Sequence, residues 1–160
     1  MRQIASFALL IGLLLLTACH HHDDEAVKYK RTVLVYIAAD NDLGSHGFAD
    51  DDIKEMMTGS KSLTSDNRLI LFIDQPNENP LFALVENGDT THLLTFDEEL
   101  KSSDAETLRM AMKWTIDNYE AESYGLVLWG HADGWIVRNQ ANASRGQTRA
   151  YGLDDVGGSQ

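Results

Sequence analysis

The chain has 160 residues, of which 13 are Lys or Arg and 25 are Asp or Glu, and its formal net charge is −12 at pH 7. A protein must neutralise phosphates to bind DNA or RNA, so this charge argues against a nucleic-acid partner and against adhesion to anionic membrane surfaces. The chain contains one cysteine, so disulfides cannot stabilise it and the burial of apolar side chains must do so instead.

The amino terminus has the pattern of a secretory signal. Arg2 supplies a positive charge, and residues 4–18 carry no charge but are fewer than the roughly 20 residues that span a membrane. The sequence Leu-Thr-Ala-Cys that ends at Cys19 resembles the bacterial lipobox, in which the signal is cut before a diacylated cysteine. A plain secretory signal with an incidental cysteine is the alternative. We expect a signal peptide over residues 1–18 and a lipid anchor on Cys19.

The segment after this cysteine indicates a tether. Three histidines and three acidic residues follow Cys19, with no apolar residue among them, so residues 19–30 are expected to be a solvated linker between the lipid and the folded domain, residues 31–160. This organisation predicts a membrane-anchored lipoprotein of the bacterial cell envelope, at the outer membrane or the cell surface.

Two apolar strands with a helix between them are predicted next. Residues 32–39 form a continuous apolar and β-branched run that halts at Asp40 and Asp42, and residues 68–74 repeat the pattern and end at Asp74. Such runs are typical of parallel strands that are buried on both faces. Residues 48–59 between them have apolar side chains at helical spacing. The order strand, helix, strand predicts a βαβ unit.

A second helix is predicted after residue 102. Ser103, with Glu106 three residues later, has the pattern of a capping box, and the helix should run to about Tyr119. One face of this helix is apolar at the helical period and should cover the sheet: Leu108, Ala111, Met112, Thr115, Ile116 and Tyr119.

A β-hairpin and a third parallel strand complete the predicted elements. Residues 81–85 and 91–96 flank Asn87-Gly88, which is a strong hairpin turn signal. Residues 124–129 predict a buried strand. Three parallel strands make a narrow sheet, and so apolar a strand should have neighbours on both sides, because an exposed apolar edge invites aggregation. We therefore expect polypeptide beyond residue 160 to complete the fold.

The last strand runs into His131, which stands among glycines. Ligands and catalytic groups collect at the carboxyl edge of an α/β sheet, so His131 is a candidate proton shuttle, although a lone histidine there can also be structural. Asp40, Asp42 and Asp74 should lie at the same edge, where they could line a cleft or simply cap strand ends and turns.

These segments together resemble a known family. They resemble the amino-terminal half of clostripain-family (C11) cysteine peptidases. The resemblance lies in three places: the strand that ends at Asp40-Asn41-Asp42, residues 113–119 with the following Tyr-Gly-Leu-Val-Leu-Trp-Gly-His at 124–131, and Gly134-Trp135. The resemblance covers about residues 31–155. It implies an α/β fold of the caspase-like type (clan CD), a three-layer sandwich with a mostly parallel sheet that is incomplete at the C-terminus of this chain.

The resemblance also implies a catalytic chemistry. In the family, the histidine after this strand forms a dyad with a cysteine that follows the next parallel strand, so the resemblance assigns catalysis to His131 and leaves the nucleophile outside these 160 residues. The backbone N–H of Ala132, where relatives usually have glycine, would stabilise the oxyanion. Clostripain-like enzymes cleave after Arg or Lys, so four residues become candidates for substrate binding: Asp40, Asp42, Asp74 and Trp135.

Two further family properties bear on this sequence. Family members are typically activated by a cut after a basic residue downstream of the histidine, and Arg145 and Arg149 lie in a polar segment, residues 138–149, that we expect to be an exposed loop. Some relatives depend on Ca²⁺, which leaves Ca²⁺ open as a cofactor, but Asp40 and Asp42 alone lack the six or more oxygens of a calcium site. The residues themselves predict no metal ligand.

Two classes of function follow. The favoured one is the amino-terminal portion of a lipid-anchored cysteine endopeptidase that is inactive without the polypeptide carrying its cysteine, and its substrate is a peptide or protein with basic residues. The alternative is a non-catalytic envelope lipoprotein that binds a peptide, a partner protein or a small cationic ligand.

Overall fold

A computed structural model describes residues 29–132 and Tyr151. In this part of the chain the elements are, in order, β1 (Arg31–Ala38), α1 (Asp42–Ser45), α2 (Phe48–Ser60), β2 (Asn67–Asp74), β3 (Leu81–Glu86), β4 (Asp89–Thr95), α3 (Ala105–Asn118) and β5 (Tyr124–Gly130). The strands and the two longer helices agree with the sequence predictions to within two residues. The four-residue helix α1 is not predicted, because it is too short to show a periodic pattern.

The described strands form one sheet in the order β4-β3-β2-β1-β5. β1 pairs in parallel with β2 and with β5, while β3 is antiparallel to both of its neighbours, so four of these five strands point the same way. The predicted βαβ unit is present. The hairpin extends the same sheet beyond β2, so the sheet is wider than the narrow one expected from the parallel strands alone.

The hairpin turn has the geometry that its sequence predicts. Asn87 and Gly88 have φ angles of 53° and 89°. Positive φ at both central residues is the requirement of a type I′ turn, whose twist matches that of the flanking strands.

Helices cover both faces of the sheet and make three layers. Alternate residues of a strand point to opposite faces, and β1 accordingly contributes Leu34 and Tyr36 to one buried cluster and Val35 and Ile37 to another. α3 packs on the first cluster through Ala111, and α2 packs on the second. β1 is thus buried on both faces, as predicted.

The side of α3 that faces the sheet agrees with the prediction at Leu108, Ala111, Thr115 and Tyr119 but not at Met112 and Ile116. The ring of Trp114 stacks on that of Phe82 in β3, with centroids 3.9 Å apart, and Ala111 is fully buried. Met112 and Ile116 belong to the predicted face, but they are 39% and 45% exposed. The stacking of Trp114 turns the helix toward β3 and leaves these two side chains beside β5.

The N-cap of α3 is also a correction. Ser103 is not the capping residue; the carboxylate of Asp104 accepts a hydrogen bond from the backbone N–H of Glu106 at 3.1 Å. The backbone of Asp104 is extended, with ψ of 136°, so the helix can begin only after it.

β5 lies at one edge of the described sheet, with β1 as its neighbour there. The sequence predicts that its apolar side chains are buried, and this prediction is wrong for the described structure: Leu126, Val127 and Leu128 are 42%, 47% and 43% exposed. On the α3 face, an apolar cavity of about 170 Å³ lies between β5 and α3 and is open to solvent. Met112 and Ile116 are among the residues that line it.

The amino-terminal end of the described structure is tied to the sheet. Tyr29, which the sequence assigns to the tether, forms a parallel bridge with Ala121, and the guanidinium of Arg68 lies 4.2 Å from the centroid of its ring. No helix within residues 29–132 is long and apolar enough to cross a membrane. The predicted signal peptide, Cys19, most of the tether and the polar segment 138–149 lie outside the described residues.

Candidate active site

The carboxyl ends of β1, β2 and β5 meet at one edge of the sheet. In the strand register, Ala38 is the partner of both Asp74 and Gly130. The residues that follow β1 and β5 are therefore neighbours in space, although more than 80 positions separate them in the chain. This edge is where ligands bind in open α/β sheets.

His131 and Asp42 form a direct contact at this edge. Nε2 of His131 lies 2.6 Å from Oδ1 of Asp42, and the two side chains are 33% and 68% exposed. The hydrogen bond from His131 lowers the pKa of the Asp42 carboxyl below its usual value, because it stabilises the carboxylate form. The imidazole is thus reachable from solvent and carries an ionised hydrogen-bond partner.

Asn41 fixes the backbone that carries Asp42. Its side chain accepts a hydrogen bond from the backbone N–H of Leu43 at 2.9 Å and donates one to the carbonyl of Ala38 at 3.1 Å. The hydroxyl of Ser45 donates to the Asn41 carbonyl. Asn41 is 3% exposed, so these bonds anchor α1 to the end of β1 in a buried environment.

Gly44 lets α1 lie close to its neighbours. A Cβ at this position would lie 2.1 Å from the carbonyl oxygen of Ala39 and 2.7 Å from Cδ of Pro76. Both distances are far shorter than van der Waals contact, so only glycine fits. This close approach places α1, whose first residue is Asp42, against the end of β1.

The other two predicted aspartates are buried. Asp74 is fully buried and Asp40 is 4% exposed, so neither carboxylate is accessible to a substrate in this structure, whereas Asp42 is. A role in substrate binding stays a prediction for Asp40 and Asp74, and it would require this edge to open.

Ala132 and Tyr151 form an antiparallel bridge directly after His131. The phenol of Tyr151 donates a hydrogen bond of 3.4 Å to the carbonyl of Tyr36 and packs against the α3-side cluster. Burial raises the pKa of this phenol well above its ordinary value. No local sequence pattern distinguishes Tyr151, which lies well beyond His131 along the chain.

A second polar contact holds the end of β5 against α2. The indole N–H of Trp129 donates to the carboxylate of Asp52 at 2.5 Å, and the amide of Gln75 donates to Asp50 at 3.2 Å. Both acids lie near the start of α2, where the helix dipole favours negative charge. The bond from Trp129 fixes the strand end that delivers His131, and the bond from Gln75 ties the residue after β2 to the same helix.

The described residues do not fit a calcium site. They contain no group of three or more His, Cys, Asp or Glu side chains that could hold a metal. Asp40 is buried, and the exposed carboxylate of Asp42 is bonded to His131. The remaining predicted site residues, Trp135, Arg145, Arg149 and Cys19, lie outside the described part of the chain.

Comparison with known proteins supplies the family. The model of the clostripain family matches residues 35–160. The chain belongs to the clostripain family. Its resemblance to C11 cysteine peptidases, noted from the residues around Asp40 and His131, is thereby confirmed. A search of curated proteins finds no match.

Solved structures confirm the α/β fold of the caspase-like type. A cysteine protease of B. fragilis is 30% identical with a TM-score of 0.59, and the match covers 75% of this chain and 98% of that one. An inactive zymogen C11 protease from Parabacteroides distasonis is 29% identical with a TM-score of 0.62, and the match covers 70% of this chain and 33% of that one. A secreted C11 cysteine protease from Bacteroides thetaiotaomicron, in complex with an irreversible peptide inhibitor, is 31% identical with a TM-score of 0.62, and 79% and 34% are covered. The chain therefore spans nearly all of the first relative and about a third of the other two.

Proposed function

We propose that this chain is the histidine-bearing part of a lipid-anchored cysteine endopeptidase that cleaves after Arg or Lys. The observation that carries the proposal is the solvent-accessible imidazole of His131, set at the carboxyl edge of the sheet and bonded to the carboxylate of Asp42. Membership in the clostripain family supports the reaction class. One relative holds an irreversible peptide inhibitor, which supports a peptide substrate.

The proposed nucleophile is a cysteine on polypeptide outside these 160 residues, since the only cysteine in the sequence is Cys19, the proposed lipid anchor. The exposed edge of β5 supports this arrangement. A strand paired with β5 would lie about 4.8 Å from it and would cover Leu126 and Leu128. If that strand runs parallel to β5, its carboxyl end lies beside His131, within reach of a proton transfer.

The proposed mechanism uses His131 as base and then as acid. The thiol gives its proton to the imidazole, and the sulfur attacks the carbonyl carbon of the scissile peptide. The backbone N–H of Ala132 stabilises the oxyanion that forms. His131 then protonates the leaving amine as the C–N bond breaks, which leaves a thioester. A water deprotonated by His131 hydrolyses the thioester and restores the thiol.

The charge of the chain supports a basic substrate. Acidic side chains exceed basic ones by 12, which attracts cationic peptides over a distance. We include Asp40, Asp42, Asp74 and Trp135 among the substrate-binding candidates and Arg145 or Arg149 as the processing site.

The activity can be tested on the native protein isolated from membranes with an antibody to this chain. We expect hydrolysis of arginyl and lysyl amides but not of a matched aspartyl amide, and a loss of about 10³-fold or more in His131→Ala. His92→Ala is the control, because His92 is exposed on β4, away from the site. Full activity in His131→Ala, or equal rates on the aspartyl amide, contradicts the proposal. The 160-residue chain alone should show no turnover.

The anchor and the processing site have separate tests. Mass spectrometry of the mature protein should find a diacylated Cys19 at the amino terminus, and an unmodified Cys19 contradicts the anchor. Amino-terminal sequencing of a processed fragment should begin at residue 146 or 150. Arg145→Ala or Arg149→Ala should then block the cut, while Arg138→Ala should not.

A further inference from the structure

We propose that Asp42 is a positioning residue that orients His131 through Nε2, so that Nδ1 is the nitrogen that exchanges the proton with the reacting thiol. The proposal rests on the proposed peptidase function. It adds a third member to the histidine–cysteine pair and gives Asp42, one of the four substrate-binding candidates above, a positioning role in place of substrate binding.

The atoms in contact determine which nitrogen is left for catalysis. A neutral imidazole has one N–H and one lone pair, and an ionised carboxylate can only accept hydrogen bonds. Because Oδ1 of Asp42 lies 2.6 Å from Nε2 of His131, the N–H is on Nε2 and the lone pair is on Nδ1. A base oriented by a third group in this way is the general logic of catalytic triads.

The carboxylate keeps this role across a wide range of pH. The hydrogen bond from His131 lowers the pKa of Asp42, and the positive charges that the rings of His131 and His46 carry when protonated act in the same direction. The ring of His46 contacts the main-chain oxygen of Asp42 at 2.6 Å and not its carboxylate. Asp42 is therefore ionised at every pH where a histidine base is active.

The scaffold around Asp42 is suited to holding a side chain in place. Asn41 ties α1 to β1 through two hydrogen bonds, and Gly44 seats α1 against Ala39 and Pro76. On the other side, Trp129 secures the end of β5 to Asp52 two residues before His131. Both partners of the pair are thus supported by contacts of their own, which is what a preorganised catalytic pair requires.

The first experiment observes the imidazole without any turnover. In the full chain labelled with ¹⁵N at histidine, we expect the ring nitrogens of His131, assigned by comparison with His131→Ala, to show a single Nε2–H tautomer. Asp42→Asn should give a mixture of tautomers, because an amide can donate as well as accept. An Nδ1–H tautomer in the wild type, or an unchanged spectrum in Asp42→Asn, overturns the proposal.

The second experiment separates positioning from substrate binding by steady-state kinetics of the full-length enzyme on an arginyl amide. We expect Asp42→Asn to lower kcat by about 10²- to 10⁴-fold with KM nearly unchanged, whereas loss of a substrate contact would raise KM. Asp51→Asn makes the same change of charge at an exposed ion pair with Lys54 and should leave both constants unchanged.

The outcomes distinguish this proposal from the function on which it rests. If His131→Ala is inactive but Asp42→Asn keeps the wild-type kcat, the positioning role is overturned and the peptidase function stands. If His131→Ala keeps full activity, the peptidase function fails, and the positioning role fails with it.

Discussion

Gly44→Ala tests whether the close seating of α1 holds the catalytic pair together. The added Cβ would meet the Ala39 carbonyl oxygen at 2.1 Å, where an ordinary contact needs about 3.4 Å, so the backbone must move by about 1.3 Å. Both the carbonyl and the Pro76 ring are stiff. Overpacking of this kind costs about 1–3 kcal/mol, and the displacement is large enough to break the 2.6 Å contact between Asp42 and His131.

The assay is urea unfolding, with Gly59→Ala as the matched control. Gly59 lies in α2 with nothing within 4 Å of its added Cβ, so alanine there should stabilise the protein by about 0.4–1 kcal/mol. The two variants should therefore differ by at least about 1.4 kcal/mol, and only Gly44→Ala should change the ¹⁵N spectrum of His131. Equal stability of the two variants, with that spectrum intact in both, would refute the argument.

Three further predictions concern the caps and the polar contacts of the fold. Asp104→Ala should lower the free energy of unfolding by about 1 kcal/mol while Ser103→Ala leaves it nearly unchanged; the reverse order in urea unfolding would restore Ser103 as the cap. A double-mutant cycle of Trp129→Phe and Asp52→Ala should give a coupling energy of about 1 kcal/mol, and a coupling near zero would show that this contact does not hold β5. The pKa of Asp42 is lowered in the folded state, so its contribution to stability is complete above about pH 3.8 and is lost as the pH falls through the folded value. The difference in unfolding free energy between the wild type and Asp42→Asn should consequently narrow below pH 3.8 in a series of urea titrations. A constant difference down to pH 2 would contradict the lowered pKa of Asp42.

Local patterns in the sequence predict most of the fold, because each pattern has a local cause. The apolar runs of β1 and β2, the turn at Asn87-Gly88 and the helical spacing in α2 all appear in the structure as expected. The boundary of α3 is less predictable, since Ser103 and Asp104 are both good caps and only the backbone dihedral angles decide between them. The exposure of β5 is not predictable either, because it depends on which strand lies beside it.

The candidate site is also predictable only in part. The place of His131 at the sheet edge follows from the strand before it, and the sequence predicts it. The contact with Asp42 depends on the register of β1 against β5, which no local pattern encodes. Burial also separates the three aspartates: Asp42, the first residue of α1, is exposed, whereas Asp40 after β1 and Asp74 at the end of β2 are buried.

The contacts of Tyr151 affect whether the two fragments stay together after proteolytic cleavage of the chain. Its phenol reaches the main chain of Tyr36, and its backbone pairs with Ala132, so the two sides of a nick after Arg145 or Arg149 would meet at the sheet edge. The cleaved carboxyl-terminal fragment would thus stay bound, non-covalently, to the strand that leads to His131. Maturation and dissociation would then be separate events.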